Sequence, residues 1–393
     1  MKNNETDIQM AGDQVNKVSP EELKEIIGIA LNSIDKNPEL SKKLAPLLIH
    51  GSPGLGKSSI VAQMCDELGF EFIDVRLAQM EPCDIKGLPV PDKEKKQMNW
   101  YVNGVWPNDP NSRGVIFLDE ITAADRSIQV AAYELILDRR LGNLYKVPEK
   151  WYIIAAGNNA EDRAVSVTMS SALANRFTHV ELEENPEEWR KYGRGAGFHP
   201  AVLGFIQFKP QYLMKMKGEN LERGWPSPRS WERVSQICTI YNGGIDEMTA
   251  QNSIFRKLVR GTIGVGAEIE FNAFYKIHRQ FDNVWEMMLS DKKLVDLPTK
   301  PDERIALISS MVYLVWKGKD EKETKKLIEG FFRIITEFTS DYALMAMFNA
   351  LDSENLEVKR ARNKMFRDSE GYQIWKKKHA AALAASQNPN RFE

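Results

Sequence analysis

One glycine-rich stretch has residue types and a spacing that suit phosphate chemistry. It reads, in order, Gly51, Ser52, Pro53, Gly54, Leu55, Gly56, Lys57, Ser58 and Ser59. Glycines let the backbone curl until successive N–H groups point inward at phosphate oxygens, and the helix that follows adds the positive end of its dipole. In this pattern the lysine reaches the terminal phosphates and the next serine ligates magnesium. We therefore expect Lys57 to bind phosphates and Ser58 to bind Mg²⁺.

An acidic pair, Asp119 and Glu120, follows the apolar run at 115–118. An Asp at the carboxyl end of a buried strand can hold magnesium through water, and the adjacent Glu can orient an attacking water. The structural alternative is that the pair caps a helix. With a phosphate-binding loop upstream, the pair favours hydrolysis of the nucleotide over its storage.

Asn158 closes the next apolar run, at 152–156. Ligands of a parallel sheet bind beyond the carboxyl ends of its strands, so an amide in this position is expected beside the γ-phosphate. Asn159 is a direct competitor for the role, because Asn is also common in turns.

Three arginines are candidates for further roles. Arg176 ends a short helix; in the expected fold it is too far from its own loop, but it could reach a neighbour's loop and stabilise charge in trans. Arg163 competes for this role, and a surface Arg at a helix C-terminus is also favourable by itself. Arg229 stands at a helix start, where the dipole disfavours a cation, and this conflict points to function.

The elements that must position these side chains alternate between apolar runs and amphipathic segments. Two of the runs are continuous, as in strands buried on both faces of a parallel sheet. Helical periodicity separates most of the runs, notably at 58–68 and 127–137. This alternation predicts an α/β domain with helices on both faces of the sheet. The predicted strands are 46–50, 72–75, 115–118, 152–156 and 178–182.

Two stretches, 85–107 and 139–151, interrupt this pattern and are interpreted as inserted hairpins. After residue 185 the strand signal fades and helical patterns dominate. The segments interpreted as helices are 200–216, 229–242, 252–260, 267–280, 303–316 and 322–338.

Composition limits the class of protein. The 393 residues suggest two to three domains. The 53 Lys and Arg nearly balance the 55 Asp and Glu, which argues against binding DNA by bulk positive charge. No apolar run is long enough for a membrane span, the polar N-terminus lacks a signal peptide's apolar core, and the three cysteines form neither a zinc pattern nor a disulfide framework. We therefore expect a cytoplasmic protein that does not act at a membrane.

The order of these motifs resembles the AAA+ ATPases, and within them the MoxR-like, dynein-related branch. The resemblance covers roughly residues 18–240 and also rests on the stretches 76–89, 132–142 and 171–177. It implies that ATP and Mg²⁺ bind at a Walker A loop and a Walker B pair, which are the glycine-rich stretch and the acidic pair. It further implies sensor 1 at Asn158, an arginine finger at Arg176 and sensor 2 at Arg229.

Composition and motifs together suggest a domain plan, and the resemblance implies partners. The plan is a flexible segment at 1–17, an α/β ATPase core at 18–184, a helical lid at 185–240 and a helical region of unassigned role at 241–393. Such ATPases form rings, typically hexamers, and MoxR-like members remodel partner proteins, often with a protein that carries a von Willebrand factor A domain. The resemblance does not identify the client.

Two questions stay open at this level. Trp100, Tyr101 and Trp106 in the first insertion could contact a client or line a pore, or could pack on their own domain. A motor or loader that acts on nucleic acid is the alternative function, because residues 359–391 hold nine Lys or Arg against two acids. Basic helices are more often solvated or protein-docking surfaces, so remodelling of a protein is the leading hypothesis.

Overall fold

A computed structural model gives the structure of the chain and describes residues 16–94, 96–159, 169–216, 224–241, 253–290, 297–353 and 355–386. The chain divides into two compact units, Met1–Asn185 and Pro186–Glu393. No helix among the described residues is both long and apolar enough to cross a membrane.

The first unit is built on a six-stranded sheet with the order β1-β10-β2-β9-β6-β3. All neighbouring strands of this sheet are parallel. The remaining strands form two antiparallel pairs, β4 with β5 and β7 with β8. In chain order the strands are β1 (Lys17–Val18), β2 (Leu47–His50), β3 (Glu71–Arg76), β4 (Leu88–Asp92), β5 (Gln97–Tyr101), β6 (Arg113–Asp119), β7 (Arg140–Leu141), β8 (Tyr145–Lys146), β9 (Lys150–Gly157) and β10 (Thr178–Leu182).

Helices cover both faces of this sheet. They are α1 (Pro20–Lys36), α2 (Lys57–Leu68), α3 (Pro82–Lys86), α4 (Arg126–Asp138) and α5 (Ser171–Ala174). Along β6, Val115 and Phe117 join the apolar cluster of α1 and α2, whereas Ile116 and Leu118 join the cluster of α4. A strand buried on both faces must be apolar throughout, which is why the sequence shows continuous runs here. The predicted α/β fold class is confirmed.

The start of the first unit differs in one respect from the expectation. Lys17, assigned from composition to the flexible segment 1–17, lies in β1 and pairs with Glu181 of β10; residues 1–15 lie outside the described part of the chain. Helix α1 then begins with a capping box, in which Glu22 N–H donates to Ser19 Oγ and Ser19 N–H donates to Glu22 Oε2.

Each of the two interrupting stretches contains a hairpin, as expected. In the first, Leu88 pairs with Tyr101, and a Cβ on the preceding Gly87 would lie 2.3 Å from the carbonyl oxygen of Tyr101. Only glycine fits this close approach. Trp100 and Tyr101 are exposed, at 46% and 63%, whereas Trp106 is 1% exposed within the core beside α4. Trp106 therefore packs on its own domain, which was one of the two alternatives for it.

The described residues of the second unit form helices. These are α6 (Pro186–Gly195), α7 (Pro200–Phe208), α8 (Pro228–Ile240), α9 (Ile254–Arg279), α10 (Val284–Leu289), α11 (Pro301–Leu314), α12 (Glu321–Ile335), α13 (Ser340–Leu351), α14 (Leu356–Arg367), α15 (Glu370–Lys378) and α16 (Ala380–Ser386). The two predicted segments 252–260 and 267–280 lie on either side of Gly264, which is non-helical inside α9.

Two apolar clusters hold this unit together. One runs from Trp189 of α6 through α7, α8 and α9 to Ala306 of α11. The other joins α10 to α15, with Phe331, Phe332 and Trp375 fully buried. Helices of the predicted lid, 185–240, therefore share one core with helices of the predicted C-terminal region.

Candidate active site

The glycine-rich loop leaves the carboxyl end of β2 and enters α2. Gly56, the residue before α2, has φ +96°, a left-handed conformation that only glycine adopts without strain. A Cβ on Gly51 would lie 3.0 Å from the carbonyl oxygen of Leu182 on β10. The glycines thus allow both the curl of the loop and its close contact with the neighbouring strand.

Lys57 lies inside this loop rather than in solvent, since only 9% of it is exposed. Its Nζ donates to the carbonyl oxygens of Gly51, at 2.5 Å, and Ser52, at 3.3 Å. It also donates to Oδ1 of Asn158 at 3.2 Å. The ammonium group is therefore held in the loop and joined directly to the end of β9.

The acidic pair lies on the same edge of the sheet. Asp119 is the last residue of β6, and Glu120 follows with φ +58°, a conformation that costs an ordinary side chain about 1–2 kcal/mol. The N–H of Glu120 donates to Oδ1 of Asp119 at 2.9 Å, and Ile121 N–H donates to the carbonyl of Ala156 on β9 at 3.0 Å. The pair forms a strained turn and does not cap α4, which begins after Asp125.

Of the two adjacent asparagines, the first lies beside the loop. Besides accepting from Lys57, Asn158 donates its backbone N–H to Oγ1 of Thr122 at 3.0 Å. Asn159 instead donates its side-chain amide to Oε1 of Glu181 on β10 at 2.9 Å. This geometry favours Asn158 as the residue that faces a bound nucleotide.

Thr122 is a positioning residue that the sequence did not reveal. A Cβ on Gly157 would lie 2.5 Å from its Cγ2, so β9 and the acidic turn pack together with only a glycine between them. Nothing in the spacing of Thr122 distinguishes it from a loop threonine, because its partner is distant along the chain.

Sheet order explains why these groups meet. Strand β9 lies between β2 and β6, with His50 opposite Gly157 and Leu118 opposite Ala155. The loop, the amide and the acidic pair therefore follow three neighbouring parallel strands at their carboxyl ends, where such sheets bind ligands.

Comparison with known proteins agrees with this geometry. Residues 46–177 match the family model of the AAA domain (dynein-related subfamily). These residues are an AAA+ ATPase domain. Protein NorQ of Paracoccus denitrificans is 24% identical over 196 residues, which are 46% of this chain and 68% of NorQ. The two matches confirm the resemblance to MoxR-like AAA+ ATPases.

Two further relatives match the ATPase domain over shorter shares of their length. The Holliday junction branch migration complex subunit RuvB of Parasynechococcus marenigrum is 28% identical over 180 residues, 42% of this chain and 43% of RuvB. Midasin of Dictyostelium discoideum is 24% identical over 148 residues, 35% of this chain and 2% of midasin. The chain thus spans less than half of RuvB and a small fraction of midasin.

The end of β3 adds charge to the site of the ATPase domain. Arg76 lies opposite Asp119 in the register of β3 and β6. Burial raises the pKa of nearby Asp74, the negative charges of Asp119 and Glu120 raise it further, and Arg76 lowers it. No role in the site was assigned from the sequence to Asp74 or Arg76, although Arg76 begins the stretch 76–89 that carries part of the resemblance.

A hydrogen-bonded pair of histidines lies directly before the nucleotide loop. His179 Nε2 is 2.8 Å from the carbonyl oxygen of Ala174, which can only accept, so this nitrogen carries the proton. His179 Nδ1 then accepts from His50 Nε2 at 3.0 Å. Burial and the charges of His179 and Lys57 lower the pKa of His50. The pair links the strand before the loop to α5, which precedes Arg176.

The structure describes two of the three candidate arginines, and their surroundings differ. Arg176 is exposed, two residues before β10, and Thr178 N–H donates to the carbonyl of Pro46, just before β2. Arg176 therefore lies at the amino edge of the sheet. The four residues of β2 separate it from the loop, and at about 3.3 Å per residue this distance is about 13 Å. Arg163 lies outside the described residues. Arg229 is exposed in the first turn of α8, in the second unit.

Proposed function

We propose that this chain assembles into a ring in the cytoplasm, hydrolyses ATP with Mg²⁺, and uses the energy to remodel a partner protein. One observation carries the hydrolysis: Lys57, Asn158 and the strained Asp119–Glu120 turn are held together at one edge of the sheet. This arrangement combines a cation for phosphate, an amide and a carboxylate pair.

The residues present fit a nucleotide with its metal ion. Ser58 in the first turn of α2 offers a hydroxyl, and Asp119 offers a carboxylate. Mg²⁺ favours such a set, because it takes oxygen ligands from only one or two side chains and keeps several waters. When bound, the ion would neutralise negative charge on the phosphate oxygens.

The other side chains have separate roles in the proposal. Lys57 binds the terminal phosphates, and the backbone N–H groups of the glycine-rich loop bind the phosphate chain. Glu120 orients the attacking water and accepts its proton. Asn158 holds the γ-phosphate end of the site.

The position of Arg176 supports assembly into a ring, which we take to be a hexamer. The residue is exposed at the sheet edge opposite its own loop, so it would stabilise charge in a neighbouring subunit. Arg229 would act as sensor 2 from the helical unit. Arg163 stays a competitor for the trans-acting role.

A protein client is supported by the hairpin β4–β5. Its exposed apolar side chains include Leu88, Met98 and Tyr101, at 58%, 53% and 63%, and such patches mark protein contacts more often than solvent surface. The MoxR-like relationship supports a partner with a von Willebrand factor A domain.

Recovery of proteins with a Glu120→Gln trap tests this proposal. Blocked hydrolysis should hold the client on the ATP-bound ring, so a specific partner should co-purify with Glu120→Gln in the presence of ATP. The Lys57→Ala variant, whose ATP binding should be much weaker, is the matched control. A partner recovered equally with both variants would contradict ATP-dependent remodelling.

Action on nucleic acid is the second candidate, favoured by the match to RuvB. Part of the basic C-terminal charge is already engaged: Arg362 lies over the ring of Trp316 and donates to the carbonyl of Asp352, and Lys378 pairs with Glu337. We therefore expect DNA and RNA at physiological salt neither to bind nor to stimulate ATP turnover. Stimulation by either would favour this second candidate.

A further inference from the structure

The second unit contains a strongly basic pocket of about 240 Å³. Its wall carries four cationic side chains: Arg190 and Arg194 of α6, Lys317 just after α11, and Arg362 of α14. Among the described residues that line it, none is an Asp or Glu. The pocket shares no residue with the nucleotide loop.

Several guanidinium nitrogens at this pocket are buried without an acceptor. Nε and Nη1 of Arg190 and Nε of Arg194 have no hydrogen-bond partner among the described residues. Buried donors are almost always satisfied in folded proteins, because the loss of water must be compensated. Three such atoms on two adjacent turns of one helix indicate that an acceptor belongs here.

The carboxylate of Asp352 does not supply this acceptor. Asp352 accepts from Nη2 of Arg194 at 2.6 Å, and Lys359 lies 3.8 Å from its other oxygen. Arg362 donates to the backbone carbonyl of Asp352 at 2.8 Å. One acid is therefore shared among several cations.

The electrostatics of Arg190 are consistent with a missing counter-charge. Burial and, to a lesser degree, the positive charge of Arg194 lower the pKa of Arg190 to about 10, against the opposing effect of Glu187 and Asp352. Arg190 still carries its proton at neutral pH, so repulsion between the two guanidinium groups persists in the folded protein.

We propose that this pocket binds a phosphate group, free or on a small ligand, which accepts hydrogen bonds from Arg190 and Arg194. A guanidinium presents paired donors that match the oxygens of a phosphate. The volume lies below the range of about 300–1,000 Å³ that is usual for drug-sized ligands. The occupant is therefore compact.

Calorimetric titration of inorganic phosphate into the full chain tests the proposal. The Lys57→Ala background should weaken phosphate binding at the nucleotide loop, so that binding at the pocket can be measured separately. We expect saturable binding to one site, matched by sulfate but not by chloride at equal ionic strength. Arg190→Gln should weaken it at least tenfold, whereas Arg360→Gln, an exposed arginine of α14, should leave it unchanged. Absence of saturable binding, or equal affinity in Arg190→Gln, would overturn the proposal.

A second titration, with ADP in the same Lys57→Ala background, identifies the source of the phosphate. ADP binding that disappears in Arg190→Gln would assign the phosphate to a nucleotide. Binding of inorganic phosphate without ADP binding would assign it to a free anion.

Thermal unfolding separates a ligand role from a structural one. If Arg190 serves a ligand, Arg190→Gln should melt no lower than the parent chain in chloride, and phosphate should raise the midpoint of the parent only. A variant that melts lower in chloride and gains as much from phosphate as the parent would contradict the site. Should Arg190→Gln fail to fold, Arg190→Lys keeps the charge but loses the paired donors, and it too should bind phosphate more weakly.

Discussion

Lys57 is the residue on which nucleotide binding depends most directly. In the structure its ammonium group already contacts two loop carbonyls and the amide of Asn158. The side chain thus crosses from the loop to the neighbouring strand, and its charge stands where phosphates would bind.

Lys57→Ala should therefore weaken ATP binding about 10–100-fold. Hydrogen bonds to charged groups contribute about 1.5–3 kcal/mol, and each 1.4 kcal/mol is about tenfold in affinity. Titration with a fluorescent ATP analogue would measure the change, with Lys43→Ala, an exposed lysine, as control. Equal weakening in both variants would count against a specific role of Lys57.

What could not be predicted from the sequence is also clearest at single residues. Asn158 was preferred to its competitor Asn159 on its position after the apolar run alone; their different partners, Lys57 and Glu181, now separate the two side chains. The sequence left open whether Trp106 lies at the surface or in the core. Trp100 and Tyr101 in the same insertion are exposed, whereas Trp106 is buried. Burial depends on contacts with α4 that are distant in sequence.

Among the elements, the strands of the parallel sheet were the most predictable. The predicted runs lie within a residue or two of β2, β3, β6, β9 and β10. In the second unit, helices α6, α10, α13, α14, α15 and α16 were not predicted. Helix α14, for example, is strongly polar and buries only Phe366, so it has few apolar residues that could reveal a helical pattern.

Helix α7 provides a test of how this fold responds to pH. Nδ1 of its capping residue, His199, accepts from Ala201 N–H at 3.2 Å. Burial, with a smaller effect of Arg279, lowers the pKa of His199 to about 4, and His278 faces it at 5.7 Å with a pKa lowered by burial to about 3. Unfolded histidine has a pKa of about 6.5. The contribution of neutral His199 to the free energy of unfolding is therefore present above about pH 6.5 and is lost as the pH falls toward 4.

His199→Asn should reduce this acid sensitivity. Asn can keep the cap but does not titrate. The variant should therefore lose about 2 kcal/mol less of its free energy of unfolding between pH 7 and pH 5 than the parent chain does. Urea unfolding followed by circular dichroism at the two pH values measures the difference. An unchanged loss in the variant would show that His199 does not release its proton on folding.

At the scale of the molecule, the division into two units corresponds to the change from α/β to helical patterns near residue 185. A further boundary at residue 240 was expected, but one apolar cluster contains both Trp231 and Phe271. A sequence pattern marks where helices lie but not which helices share a core. The basic pocket was invisible for the same reason, since its arginines come from α6 and α14.

Mixing of two inactive variants tests the proposed ring. Arg176→Ala should spare ATP binding and reduce turnover, because the arginine is far from its own loop. Subunits with Glu120→Gln keep Arg176 but cannot hydrolyse. Mixed rings should recover part of the wild-type turnover, since each intact Glu120 can then face an intact Arg176. Recovery in no mixing ratio would contradict action in trans.

We expect the edge formed by the loop, Asn158 and the acidic turn to catalyse the hydrolysis of ATP. The decisive experiment measures both ATP turnover and affinity for ATP in Glu120→Gln. A general base contributes about 10²–10⁴-fold in rate, so turnover should fall by that factor while affinity stays unchanged. Glu67→Gln, at an exposed position on α2, should retain both. Turnover at the wild-type rate in Glu120→Gln would show that this edge does not catalyse hydrolysis through Glu120.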